Sequence, residues 1–203
     1  MLYITHKTKC IFIVNYKCGY TTFQNMVRNK QVATIPKITK FKNIPHIESK
    51  VRGFKNYTVI MITKNPFSRL LSMYFDKFVN RIKKGQYNLL CQTRMYKYYP
   101  LNYIKEGKFT FENFIDGIRK GYNDRHVRCQ SLTIKKSLLN RIIILKMEDP
   151  DFSTKLQGWI GGGNIPHRNK TIKPDIVISE KDKNFIYKKY KSDFKNFNYD
   201  KEY

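Results

Sequence analysis

A loop with the chemistry of an anion-binding site follows the first apolar segment of the chain. It reads Asn15-Tyr-Lys-Cys-Gly-Tyr-Thr-Thr22. Gly19 allows a tight turn that brings backbone N–H groups close to an anion, and Lys17 adds a positive charge. Thr21 and Thr22 offer hydroxyls and are expected to cap the next helix, whose N-terminus favours negative charge. The loop therefore predicts phosphate binding, although the Walker pattern is absent because the lysine precedes the glycine.

Three short apolar runs predict the strands that position this loop. They cover residues 10–14, 58–63 and 141–145, and continuous apolar runs of this length are typical of strands buried on both faces. Residues at helical spacing follow each run. The alternation predicts an α/β fold, a single domain over residues 1–203 with a central parallel sheet flanked by helices. Ligands of such sheets bind beyond the carboxyl ends of the strands, so the residues after each strand are the candidates for chemistry.

Capping residues predict further helices. Thr110 precedes the apolar stripe of residues 111–118, and Ser179-x-x-Asp182 is a variant of the capping box. The run Gly161–Gly163 is expected to end a helix that starts near residue 152.

The composition indicates an anionic partner. The chain has 40 Lys+Arg and 15 Asp+Glu among 203 residues, a formal net charge of +25. An aromatic content of 15% excludes a disordered basic tail. No apolar run approaches the roughly 20 residues of a transmembrane helix, and the apolar part of the N-terminus is too short for a signal peptide. The cysteines form no C-x-x-C pair, which argues against a zinc site or a disulfide framework and favours a reducing compartment: Cys10, Cys18, Cys91 and Cys129.

Two segments resemble the cofactor motifs of sulfotransferases that use 3′-phosphoadenosine 5′-phosphosulfate (PAPS). The order Lys-x-Gly-x-Thr-Thr in residues 17–22 resembles their 5′-phosphosulfate loop. Lys64 and Ser72, eight residues apart, resemble the arginine and serine that hold the 3′-phosphate in carbohydrate sulfotransferases. Pro66 and Arg69 also match that motif. The resemblance implies a P-loop-like sulfotransferase fold.

The second motif departs from the family pattern at two positions. Lys64 replaces an arginine and Asn65 replaces an aspartate. A lysine can pair with phosphate as a point charge but lacks the bidentate fork of arginine. We therefore expect weaker or less discriminating cofactor binding, not its loss.

Later segments resemble the family as well. The Met-Glu-Asp segment of residues 147–149 is similar to one that follows a late strand, and residues 167–171 resemble the basic loop that closes over the nucleotide. The resemblance implies PAPS as cofactor, adenosine 3′,5′-bisphosphate as product, and no metal. It assigns cofactor binding to Lys17, Gly19, Tyr20, Thr21, Thr22, Lys64, Ser72, Arg168, Lys170 and Thr171.

Lys17 and His46 are the predicted catalytic residues. A lysine at the bridging oxygen stabilises the charge that develops as the sulfuryl group leaves. The acceptor hydroxyl needs a base within hydrogen-bond reach, and His46 resembles in place a catalytic histidine of relatives that sulfate uronic acids. His126 and a carboxylate such as Glu48 remain open as alternatives.

The expected acceptor is an oligosaccharide or other glycan. The alternative functions are a P-loop-type nucleoside or polynucleotide kinase and a basic nucleic-acid-binding protein. The kinase should have a Walker lysine and a Mg²⁺-binding aspartate at a strand end, and no recognised nucleic-acid-binding motif accompanies the stretch of residues 94–99 that mixes Lys, Arg and Tyr. With no transmembrane anchor, we expect a short soluble member in a cytoplasm, bacterial or of an infected host.

Overall fold

A five-stranded mixed sheet forms the centre of the fold. The computed structural model describes residues 1–35, 53–134, 136–165 and 176–201. The strands are β1 (Leu2–Thr5), β2 (Cys10–Val14), β3 (Ala33–Thr34), β4 (Thr58–Thr63) and β5 (Ile143–Lys146), in the spatial order β3-β1-β2-β4-β5.

The parallel part of the sheet consists of the three predicted strands. β2 pairs with β4 and β4 pairs with β5, both in parallel. Strand β5 starts at Ile143, two residues later than its apolar run, because a 3₁₀-helix at Lys136–Arg141 occupies the preceding residues. Ile143 is 40% exposed because β5 is an edge strand. The carboxyl ends of these three parallel strands lie side by side, along one edge of the sheet.

The sheet is not parallel throughout, and here the predicted parallel sheet needs a correction. β1 pairs antiparallel with both β2 and β3. The four residues between β1 and β2 leave no room for a crossover connection, so the two strands form a hairpin. The two-residue strand β3 closes that side as a short edge.

Helices surround the sheet and follow the predicted α/β alternation. They are α1 (Tyr20–Arg28), α2 (Pro66–Tyr74), α3 (Asn80–Lys83), α4 (Tyr87–Cys91), α5 (Leu101–Lys105), α6 (Phe111–Arg119), α7 (Phe152–Ile160), α8 (Glu180–Lys189) and α9 (Lys191–Asn196). A π-helix at Phe75–Val79 joins α2 to α3, and further 3₁₀-helices lie at Phe54–Asn56, Met95–Lys97 and Ser131–Thr133. Within the described ranges, no helix combines the length and the apolar character that crossing a membrane requires.

Three of the predicted helix ends are confirmed. The Thr110 side chain accepts a hydrogen bond from Asn113 N–H in a capping box, and the Ser179 hydroxyl accepts one from Asp182 N–H. Gly161, at φ 83°, ends α7 in the left-handed conformation.

Both faces of the sheet are buried, and a third cluster lies among the helices. Helices α1 and α7 cover one face, where Phe23 and Leu156 pack with Phe12. The alternate residues Ile11 and Ile13 face the other side, in the same cluster as Phe197 from the C-terminal segment. The helical cluster joins α2, the π-helix, α6, α8 and α9. This packing fixes α2 and the C-terminal segment relative to the sheet edge where the strands end.

Candidate active site

The loop between β2 and α1 has the backbone of an anion-binding turn. Lys17 and Gly19 both have positive φ, 68° and 80°. A Cβ added to Gly19 would meet nothing within 4 Å, so the glycine is required by its backbone conformation and not by space. Gly19 is the N-cap of α1, and no side chain caps the helix. The predicted capping by Thr21 and Thr22 is therefore wrong: both lie in the first turn, where backbone N–H groups can face an anion.

Lys17 is held by a carboxylate from the π-helix. Its ammonium forms an ion pair with Asp76 Oδ2, and Lys77 Nζ lies 3.4 Å from the same oxygen. Burial lowers the pKa of Lys17, and Asp76 opposes that shift by favouring the charged form. Burial raises the pKa of Asp76, but Lys17 and Lys77 outweigh it and hold that pKa below its ordinary value. The loop thus holds a lysine whose charge is matched by Asp76.

Lys64 and Ser72 meet across the start of α2. Lys64 follows β4, and its Nζ donates to Ser72 Oγ at 2.8 Å. Asn65 caps α2 by accepting from Phe67 N–H, and Pro66 occupies the first turn. Burial lowers the pKa of Lys64. The spacing of eight residues therefore brings an ammonium and a hydroxyl to one point, as the sequence predicts.

Gln130 connects the two loops. Its Oε1 accepts from Lys64 N–H at 3.0 Å and from Cys18 Sγ at 3.0 Å, and its Nε2 donates to Lys64 O at 2.7 Å. The residue is 1% exposed. Because Cys18 lies between Lys17 and Gly19, one side chain fixes both loops relative to each other.

The C-terminal segment holds the backbone around Gln130 in place through Asp193. Asp193 is fully buried, and its carboxylate accepts from Gln130 N–H and Ser131 N–H, each at 2.8 Å. From the Met-Glu-Asp segment, Glu148 Oε1 accepts from Asn65 N–H at 2.9 Å. Glu148 and Asp193 therefore contact the same sheet edge as the two loops.

His126 lies beside the first loop. Its ring centroid is 4.7 Å from that of Tyr16, and its Nδ1 contacts the carboxylate of Asp124. Burial lowers the pKa of His126, and the charges of Lys77 and Lys17 lower it further against the opposing effect of Asp124. His6 is exposed and forms a hydrogen bond with the Tyr57 hydroxyl at the opposite end of the sheet.

The comparison with protein families agrees with this arrangement of strand ends and loops. The family model described as "Sulfotransferase family" matches residues 4–200, nearly the whole chain. The chain belongs to the sulfotransferase family. The protein is therefore an enzyme of sulfuryl transfer. Searches of curated proteins and of solved structures returned no significant match.

The structure of this sulfotransferase brings together most of the predicted site residues. Lys17, Gly19 and the first turn of α1, with Tyr20, Thr21 and Thr22, lie at the end of β2, and the Lys64–Ser72 pair lies at the end of β4. Tyr20 stacks on Tyr16 with ring centroids 5.4 Å apart. The remaining predicted residues lie outside the described ranges: His46, Arg168, Lys170 and Thr171.

Three functional candidates were missed from the sequence: Asp76, Gln130 and Asp193. An aspartate two residues before a core phenylalanine, Phe78, is typical of a solvated helix position. Gln130 and Asp193 act mainly on backbone groups, and such contacts leave no pattern of residue types. Among the residues that the structure describes, no cluster of three or more His, Cys, Asp or Glu side chains could hold a metal ion; that the enzyme needs no metal stays a prediction.

Proposed function

We propose that this sulfotransferase transfers a sulfuryl group from PAPS to a hydroxyl of a carbohydrate acceptor and releases adenosine 3′,5′-bisphosphate. The observation that carries the proposal is the pair of cationic loops that Gln130 joins. One loop presents Lys17 and the first turn of α1, and the other presents Lys64 and Ser72. Two separate cationic groups at the ends of neighbouring strands suit a nucleotide with phosphate groups at two positions.

Lys17 is proposed to act at the bridging oxygen of the phosphosulfate. Its ammonium pairs with Asp76 of the π-helix, beside the loop between β2 and α1. A donor that stabilises the developing charge on a leaving oxygen lowers the barrier more than it tightens ground-state binding. Backbone N–H groups of Gly19, Tyr20, Thr21 and Thr22 are proposed to hold the 5′-phosphosulfate.

Lys64 and Ser72 are proposed to hold the 3′-phosphate. Their 2.8 Å contact supports this proposal, because it brings an ammonium and a hydroxyl together. An ammonium and a hydroxyl supply a point charge and one hydrogen bond. The predicted closing residues Arg168, Lys170 and Thr171 are proposed to cover the bound nucleotide.

A carbohydrate acceptor fits the side chains around Lys17. Tyr16 and Tyr20 form an aromatic surface, and the Arg125 guanidinium lies 4.6 Å from the Tyr16 ring centroid. Aromatic rings pack on the apolar faces of sugars, and cations pair with the carboxylates of acidic sugars. By contrast, Tyr98 and Tyr99 of the basic stretch pack against the helical core, which leaves them less free to stack on nucleic-acid bases.

Isothermal titration tests the nucleotide assignment. Adenosine 3′,5′-bisphosphate should bind at least tenfold more tightly than AMP, ATP or a single-stranded RNA, and Lys64→Ala should remove most of that preference. Lys84→Ala is the matched control, because it removes the same charge from an exposed position at the end of α3. Equal affinity for adenosine 3′,5′-bisphosphate and AMP would contradict the proposal. Preference for ATP would favour the kinase, and preference for RNA the nucleic-acid-binding protein.

A further inference from the structure

A histidine–aspartate pair lies next to Lys17 and takes no part in the nucleotide contacts described above. His126 and Asp124 belong to the segment between α6 and the 3₁₀-helix at Ser131–Thr133. Asp124 Oδ1 accepts from His126 N–H at 2.8 Å and also contacts Nδ1 of the ring. One carboxylate therefore holds both the backbone and the imidazole of His126, which fixes the direction of the ring.

The imidazole of His126 lies against the aromatic surface of Tyr16 and Tyr20, beside the loop between β2 and α1. It packs on Tyr16, the residue before Lys17, and its side chain is 11% exposed. The charges of Lys17 and Lys77 act on the ring from the loop and from the π-helix, and Arg125 lies over the other ring of the pair, Tyr16. Asp124 faces the ring from its own segment, and Asp76 of the π-helix pairs with both lysines.

The hydrogen bonding of the ring selects its tautomer. A carboxylate can only accept, so Nδ1 carries the proton that faces Asp124, and Nε2 of the neutral ring keeps a lone pair. No hydrogen bond to Nε2 occurs among the residues that the structure describes. Since burial, Lys77 and Lys17 all lower the pKa of His126, the ring is neutral at pH 7 and able to accept a proton.

We infer that His126 is the general base that activates the acceptor hydroxyl, and that Asp124 is the residue that positions it. This inference rests on the proposed function. The acceptor O–H gives its proton to Nε2 while its oxygen forms a bond to sulfur. The bond between sulfur and the bridging oxygen breaks, and its electron pair stays on the phosphate, where Lys17 stabilises the charge. The imidazolium then returns its proton to solvent.

Asp76 is a poorer candidate than His126 for the general base. Its carboxylate is paired with Lys17 and Lys77, which hold its pKa below the ordinary value. Taking up a proton would break both ion pairs. His126 gains a proton beside Asp124, which instead stabilises the charged ring.

Single-turnover sulfate transfer tests the assignment. The donor is radiolabelled PAPS, and the acceptor is the best of a panel that contains unsulfated chondroitin, neutral oligosaccharides and a tyrosine peptide. His126→Ala should slow transfer by about 10² to 10⁴, the usual contribution of a positioned base, and leave the affinity for adenosine 3′,5′-bisphosphate within a few-fold of the parent. His6→Ala is the matched control, because His6 is exposed at the far end of the sheet. It should transfer at the parent rate.

The pH profile separates a base from a merely structural histidine. The rate should fall on the acid side as His126 takes up a proton. Because Asp124 raises the pKa of His126, Asp124→Asn should move this acid limb to lower pH and reduce the plateau rate. An unmoved acid limb, or transfer at the parent rate by His126→Ala, would overturn the inference and leave PAPS binding untouched. A variant His46→Ala that is inactive while His126→Ala is active would assign the base to His46. No transfer to any acceptor by the parent chain would overturn the proposed function itself.

Discussion

Replacing Gln130 by methionine should loosen both cofactor loops at once. Methionine has nearly the length of glutamine, so the packing is largely kept while the hydrogen bonds are lost. The variant loses the contacts of Oε1 with Lys64 N–H and Cys18 Sγ and that of Nε2 with Lys64 O. Because Lys64 is the residue that carries the proposed 3′-phosphate contact, both stability and nucleotide affinity should fall.

The size of the effect follows from the groups left without partners. The N–H and C=O of Lys64 lose their partner, and each unpaired buried group costs about 1 to 3 kcal/mol. Lys64 is half-buried, so water compensates in part, and we expect a loss of roughly 2 to 4 kcal/mol. In a chain of this size, 1 kcal/mol corresponds to about 2 to 4 °C in melting temperature, so Tm should fall by roughly 5 to 15 °C. Affinity for adenosine 3′,5′-bisphosphate should fall about tenfold, or 1.4 kcal/mol.

Thermal unfolding and isothermal titration measure the two effects. Gln157→Met is the control, since Gln157 is exposed and its side chain donates to Gly163 O at 2.9 Å. Its effect should stay within about 0.5 kcal/mol. If Gln130→Met unfolds at the same temperature as Gln157→Met and binds the nucleotide like the parent, the two loops are not held together by Gln130.

Three further predictions concern the charged groups of the site. Lys64→Arg should keep or tighten the binding of adenosine 3′,5′-bisphosphate by up to a few-fold, because a guanidinium adds a second hydrogen bond to phosphate; weaker binding in a titration would contradict this. Asp76→Asn should tighten binding of the same nucleotide, because Lys17 then has no ion pair to give up and one negative charge is removed; unchanged affinity in the same titration would show that Asp76 does not compete with the nucleotide. Stability should decrease on acidification. The lowered pKa values of Asp76 and Asp124 contribute stability that is complete above about pH 3.8 and is lost as pH falls through the folded values; urea unfolding from pH 7 to pH 2 measures it, and a curve without this decrease would contradict the lowered pKa values of the two carboxylates.

The parallel strands and the main helices could be predicted because the apolar pattern that identifies each of them lies within its own segment of the sequence. The run Cys10–Val14 is apolar on both faces, and β2 is buried on both. The Lys64–Ser72 contact was also predictable, because a strand end, a proline and two helical turns separate the two residues by a fixed geometry. The hairpin with β1 could not be predicted, because the four residues Leu2–Thr5 are too few to show a strand-like alternation of apolar and polar residues.

The supporting residues of the site could not be predicted for a different reason. Gln130 contacts Lys64 across 66 positions and is contacted in turn by Asp193 across 63. The partners are mostly backbone groups, which every residue has. Only the packing of the C-terminal segment against the sheet edge decides which glutamine becomes buried there. His46 stays a prediction, as do the single domain over residues 1–203 and the cytoplasmic location.

Transfer of radiolabelled sulfate from PAPS to the acceptor panel is the most direct measurement of the central claim. The parent chain should label at least one carbohydrate acceptor and release adenosine 3′,5′-bisphosphate in equal amount. Lys17→Ala should transfer about 10² to 10³ times more slowly, the typical cost of removing one donor that stabilises a developing charge. Lys84→Ala, which removes the same charge from an exposed position, should transfer at the parent rate. Labelling of no acceptor by the parent chain, or equal rates for Lys17→Ala and Lys84→Ala, would contradict the account.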